Sequence, residues 1–186
     1  LMVKAPLPFG KYTDPTARLA WVTQVTSGIE CQLTFVEINR RPSWQRVKAR
    51  GCGRFSTETE NRLVIALPNS DPAAGISISR SRLNIANIVD EAKKSGIKSF
   101  LVGPIPSRNP QLNPEIEHLA SGFEDVAVRR NIPFVDCYRP LAEHLGFNEE
   151  LNNSEHGLPG QTGHGLIAWL VLNRGWYEWL GLSVDN

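Results

Sequence analysis

A chain of 186 residues is long enough for one domain with a sizeable core. Apolar side chains make up 41% and charged ones 21%, with a formal net charge of +1, so nothing global draws the chain to nucleic acid or to an anionic membrane. No run of about 18 apolar residues is present, and Lys4, Pro6 and Pro8 stand where a secretory signal would need a long apolar stretch, so neither a membrane span nor a signal peptide is expected. The chain opens on Leu1, which leaves room for an upstream segment and leaves its compartment unassigned. Cys31, Cys52 and Cys137 form no C-x-x-C pair, so a zinc site or disulfide framework is not expected; buried reduced thiols are, with a Cys31–Cys137 bridge as the alternative.

In chain order, Leu1 to Lys4 is a short apolar opening. Pro15 to Thr26 reads as a helix, with Leu19, Val22 and Val25 on one face and Pro15 in its first turn. Cys31 to Ile38 (CQLTFVEI) is β-branched and aromatic, the composition of a strand. Arg62 to Leu67 (RLVIAL) is a near-continuous apolar run, as in a strand buried on both faces of a parallel sheet. Ser79 to Ser95 follows as a helix with Ile85, Ile88, Val89 and Ala92 on one face, ended by Gly96. Ile97 to Ile105 is the next strand.

Asn113 is then the expected N-cap and Pro114 the first residue of a helix whose stripe is Ile116, Leu119, Ala120, Phe123, Val126 and Ala127. Ile132 to Asp136 is a short strand, Pro140 to Leu145 a short helix, and Gly146 to Thr162 a long polar loop. Gly165 to Leu172 closes the series as an apolar helix. Strands alternating with helices in this rhythm predict an α/β, doubly wound, flavodoxin-like parallel sheet of about five strands, with helices on both faces in three αβα layers, over residues 1–186. Ligands of such sheets sit beyond the carboxyl ends of the strands. The segments that matter are therefore 5–10, 39–44, 68–75, 103–109 and 153–163.

Those segments, in that order, resemble the sequence blocks of the SGNH (GDSL-like) hydrolases over nearly the whole chain. In that family a first strand runs into G-D-S, a second block reads roughly N-x-x-x-S-G, a third reads G-x-N-D after a strand, and a last reads D-G-x-H-P with a glycine four residues after the proline. Here Ala5-Pro6-Leu7 replaces G-D-S within "LMVKAPLPFG". "NRRPSW" occupies the second block, with Trp44 at the glycine position, or Arg41 in a slipped register. Pro68, Asn69, Ser70 and Asp71 replace G-x-N-D. In "EHGLPGQTGHGLIA", Pro159 and Gly163 coincide with the family's proline and glycine, which puts Glu155 at the Asp position and Leu158 at the His position.

The resemblance implies acyl-transfer chemistry, which needs a hydroxyl nucleophile, a His base oriented by a carboxylate, and an oxyanion hole. Leu7 has no nucleophilic atom and Leu158 cannot take a proton. Trp44 keeps an N–H but adds bulk where the family needs glycine, and Ser70 offers a shorter donor than Asn. The expectation is a domain without hydrolase activity. A two-residue shift of the last block makes His156 the base and Asn153 its partner, still with no serine near the first block; Ser70, Ser77 and Ser79 are then the candidate nucleophiles of an active esterase or deacetylase. Asn69, Ser70, Asp71 and His156 are the candidate ligand contacts, with Asp71 as a loop cap in the plainer reading. His118 and His144 read as surface helix positions, His164 as a helix-start residue.

Arg40, Arg41, Arg46, Lys48, Arg50 and Arg54 form a basic stretch without acids, with Trp44 interleaved. Guanidinium groups beside an aromatic can hold a phosphate or a nucleic-acid strand, but the rest of the chain does not extend the patch, which favours a solvated face over a nucleic-acid-binding module. The expected role is binding or assembly with a protein or glycan partner, with no cofactor, no metal and no membrane. Trp169, Trp176, Tyr177 and Trp179 supply aromatic surface for it, less whatever finishes the core.

Overall fold

The computed structural model describes residues 2–6, 25, 34–38, 61–66, 69–155 and 157–182. Five strands, β1 (Met2–Pro6), β2 (Thr34–Ile38), β3 (Arg62–Ala66), β4 (Lys98–Val102) and β5 (Phe134–Val135), form one sheet in the order β2-β1-β3-β4-β5. Every pairing is parallel, with Pro6 opposite Ile38, Ile65 opposite Leu101 and Val102 opposite Val135. All five strands therefore end at the same edge. The strand order reverses between β1 and β3, so the switch point, where open sheets of this kind hold ligands, lies beyond Pro6 and Ala66.

Alternation along the strands divides the core into two layers. Leu63, Ile65 and Leu101 face one way and pack on Ile85, Val89, Leu119, Phe123 and Val126. Those side chains come from helices α1 (Ile78–Lys94) and α2 (Asn113–Arg130), where they recur at helical spacing. Val64, Phe100 and Val102 face the other way. They pack on Val25 and on Leu141, Phe147, Ile167, Val171, Trp176 and Trp179. All of these but Val25 arrive from α3 (Tyr138–Ala142), α4 (Leu145–Asn153), α5 (Gln161–Leu172) and α6 (Trp176–Leu180). The three αβα layers expected from the strand–helix rhythm are present. Among the described residues no helix is long and apolar enough to cross a membrane.

Several local expectations need correction. Residues 145–153 form helix α4 rather than the first half of a polar loop, because Phe147 and Leu151 bury a single apolar side while Asn148, Glu149, Asn152 and Asn153 make the stretch look polar. Only 154–160 remains as connection. The short helix before it covers Tyr138–Ala142, not 140–145; the Asp136 carboxylate accepts from the N–H groups of Tyr138 and Arg139 and so starts it two residues early. Asn113 is the first residue of α2 rather than its N-cap. Its amide side chain instead accepts from Ser107 N–H at 2.8 Å and donates to the Ser107 carbonyl at 3.2 Å, pinning the loop after β4. Helix α1 starts at Ile78, capped by the Ser77 hydroxyl, which accepts from Arg80 N–H. Helix α5 starts at Gln161, four residues before Gly165.

Among the late aromatics, Trp176 and Trp179 are buried against Phe100, with ring centroids 5.3 and 5.1 Å from it. Trp169 stays 61% exposed. Cys137 is a free, buried thiol, and burial pushes its pKa far up, with Asp136 adding to the shift, so it holds no thiolate. Cys31, Cys52, residues 15–24 and Thr26 of the first expected helix, and the basic stretch Arg40–Arg54 lie outside the described residues.

Candidate functional site at the carboxyl edge of the sheet

Beyond β3 the chain turns at Asn69 and Ser70, both half-buried, and enters a 3-10 turn at Pro72–Ala74. The backbone carbonyls of Ser70 and Asp71 accept from Ala74 N–H, and that of Asp71 also from Ile76 N–H, which closes the turn. Gly75 then sits at φ +68°, where a side chain would be strained. The Asp71 carboxylate does not cap this turn. It accepts from the Ser81 hydroxyl of α1 at 2.5 Å instead, tying the loop to the helix that follows it. Burial raises the Asp71 pKa above the usual carboxylate range, and the Ser81 hydrogen bond only partly opposes that.

Asn69 reaches the other way. Its amide donates to the carbonyls of Ile105 at 3.0 Å and Pro106 at 3.3 Å, joining the loop after β3 to the loop after β4. That second loop is built stiffly. Gly103 lies so close to β5 that a Cβ would come within 2.9 Å of the Val135 carbonyl oxygen, and Asn113 holds Ser107 from both sides. Arg108 then spans to the last block: its guanidinium donates to the Ser154 carbonyl at 2.9 Å and lies against Gly157, which occupies φ +62°. The loops after β3 and β4 and the connection before α5 are thus one continuous set at the carboxyl edge.

In that connection Glu155 is exposed and Leu158 is half-buried, with the Leu158 N–H donating to the Ser154 hydroxyl at 3.2 Å. Pro159 is buried. A Cβ at Gly163 would come within 2.6 Å of the Pro159 Cβ, so the glycine four residues after the proline is where the first turn of α5 packs on the proline ring.

Helix α5 has Gly160 at its N-cap and no side-chain cap of its own. Glu150, from α4, supplies one: its carboxylate accepts from Thr162 N–H at 3.0 Å and Gly163 N–H at 2.6 Å. Burial works to raise the Glu150 pKa, and the N–H groups of Gly163, Thr162 and Gly160 outweigh it, leaving the carboxyl below its ordinary value.

The structure thus brings Asn69, Ser70, Asp71, Glu155 and Leu158 to one edge of the sheet, with Arg108 between the two groups. β1 ends at Pro6, one residue before Leu7, but Leu7, Trp44 and His156 lie outside the described residues. Asn153 is the exposed last residue of α4. Ser77 is committed to capping α1, and Ser79 is exposed in its first turn. His118 is exposed, His144 caps α4 by accepting from Phe147 N–H, and His164 is buried in the first turn of α5. Ser81, Arg108, Asn113 and Glu150 have no sequence signature, because each acts on a segment distant along the chain or on backbone groups.

No family model matches the sequence, and no curated protein does. Solved structures do match. A lipase/acylhydrolase from Enterococcus faecalis superimposes with a TM-score of 0.70 at 15% identity, over 100% of this chain and 98% of that one. A member of the lipolytic G-D-S-L family from Veillonella parvula gives 0.69 at 15% identity, over 92% and 94%. A GDSL-like lipase from Bacteroides thetaiotaomicron gives 0.66 at 18%, over 92% and 84%. From the order and direction of its strands, its two helical layers and these end-to-end superpositions, the chain has the fold of the GDSL/SGNH hydrolases.

Proposed function

We propose that this domain keeps the hydrolase fold without the acyl-transfer chemistry and serves as a binding or assembly module for a protein or glycan. The observation that supports the reading is that leucine, not histidine, stands directly before Pro159, the proline whose ring packs on Gly163. A leucine there has no atom to take a proton from a nucleophile. Leu7, aligned with the family's serine, has none to attack with. Oxyanion donors stabilise an intermediate that must first form, so what remains of them does not replace the lost pair. The carboxyl edge retains groups suited to binding, chiefly the half-buried Asn69 and Ser70 and the Arg108 guanidinium, and the exposed Trp169 indole adds aromatic surface on α5.

The test is turnover of p-nitrophenyl acetate by the wild type, His156→Ala and a heat-denatured control. Equal, slow, non-saturating rates in all three are expected. Saturable turnover that collapses in His156→Ala would overturn the reading in favour of an esterase with His156 as base and a relocated nucleophile.

A further inference from the structure

Helix α5 begins where the connection carrying Leu158 ends, and its first turn is held from outside. Gly160, Gln161, Thr162 and Gly163 offer no charged or capping side chain to the free N–H groups of that turn. Glu150, one helix earlier, takes two of those N–H groups, at 2.6 and 3.0 Å. Two glycines face this contact closely. A Cβ at Gly160 would come within 2.6 Å of Glu150 Oε1, and one at Gly163 within 3.0 Å of Oε2. The first intrahelical bond, from His164 N–H to the Gly160 carbonyl at 3.0 Å, lies directly behind this contact.

We propose that Glu150 is a proton-operated clasp between α4 and α5: ionised, it fixes the first turn of α5 and with it the Leu158–Pro159 end of the connection; neutralised, it lets that turn fray while the rest of the fold stays intact. The energetics favour local release over global unfolding. The bonds to Thr162 and Gly163 are charge-assisted and weaken on protonation, whereas Phe147 and Leu151 of α4 and Ile167, Ala168 and Val171 of α5 stay anchored in the apolar core. The charged and titratable groups on the elements that pack on α4 and α5 are Glu149 on α4, Tyr138, Arg139 and Glu143 at α3, His144 at the start of α4, Arg108 and Glu155 at the connection, His164 on α5, and Tyr177 and Glu178 on α6. Arg139 is engaged by Asp136 and Glu124, and His144 by Phe147 N–H. Because the Glu150 pKa is lowered in the folded protein, the clasp is fully closed above its ordinary value of 4.5 and is lost as pH falls through the depressed one.

The experiment follows the Thr162 and Gly163 amide resonances of the intact chain from pH 7 to pH 3, with hydrogen exchange of the same amides at pH 6, in the wild type, Glu150→Gln and Arg108→Ala. Both amides are expected to titrate together with a midpoint below 4.5 in the wild type and to lose that titration in Glu150→Gln. Their exchange should quicken about tenfold in Glu150→Gln while amides in the middle of α2 are unchanged. Arg108→Ala removes the tie to Ser154 at the other end of the connection and should leave the two amides as they were. Absence of the low-pH titration in the wild type overturns the proposal, even if Glu150→Gln fails to fold. So does exchange that quickens equally in α2, which would make Glu150 a contributor to global stability alone.

Discussion

Two glycines in the first half of α5 should respond oppositely to the same substitution. A methyl at Gly163 would meet the Pro159 Cβ at 2.6 Å, Glu150 Oε2 at 3.0 Å and Phe147 Cδ2 at 3.2 Å. Carbon atoms prefer about 3.5–4.0 Å, so the proline ring or the helix must give by about 1 Å, and a proline ring has no alternative rotamer to move to. Overpacking of this kind costs about 1–3 kcal/mol. Displacing the Glu150 cap costs about 1 kcal/mol more, and the better helix propensity of alanine returns a similar amount, so Gly163→Ala should destabilise by about 1–3 kcal/mol. At Gly165 nothing lies within 4 Å of the same methyl. Gly165→Ala should therefore stabilise by up to about 1 kcal/mol, through propensity alone. Urea unfolding with a shared m-value measures both, and a change of 1 kcal/mol corresponds to about 2–4 °C in Tm for a chain of this size. If Gly163→Ala is as stable as the wild type, the Pro159 contact does not constrain the start of α5.

Asp71→Asn should stabilise the protein at pH 7, since burial raises the Asp71 pKa: the wild type is favoured below the ordinary carboxylate value of 3.8 and loses that advantage as pH rises through the raised one, so the gain of the variant should vanish toward pH 3 in urea titrations. Asn69→Ala removes both ties to the loop after β4 and should cost about 1–2 kcal/mol, with increased exchange in residues 103–107. Arg62→Ala should loosen helix α6 first, because its guanidinium donates to the Trp179 carbonyl at 3.2 Å and lies 5.8 Å from the Trp179 ring; selective loss of protection at 176–181 checks it. Neutralising Arg46, Lys48 and Arg50 together should leave stability within about 0.5 kcal/mol, and salt-sensitive retention on a polyanion that disappears in this variant would instead promote a nucleic-acid role.

Where hydrophobic periodicity was strong, it was decisive. The near-continuous apolar run RLVIA suits a strand covered on both faces, as in a parallel sheet with helices on each side, and the stripes of α1 and α2 have one face each to bury, so the layers followed from residue types and short-range spacing. The order of the blocks carried the family fold in the same way, because segments at the ends of parallel strands must meet at one edge. Helix α4 escaped notice because its two buried anchors, Phe147 and Leu151, are outnumbered by polar neighbours, and only packing against the core reveals them. The chemistry of the edge was half legible. Leu7 and Leu158 declare their lack of a reactive atom in one dimension. That Asp71 binds Ser81, that Asn69 and Arg108 stitch three loops together, and that Glu150 caps a helix not its own are decisions of tertiary structure. Each pairs groups at least ten residues apart, or a side chain with backbone N–H and C=O groups that every residue shares, and no local pattern encodes such a choice.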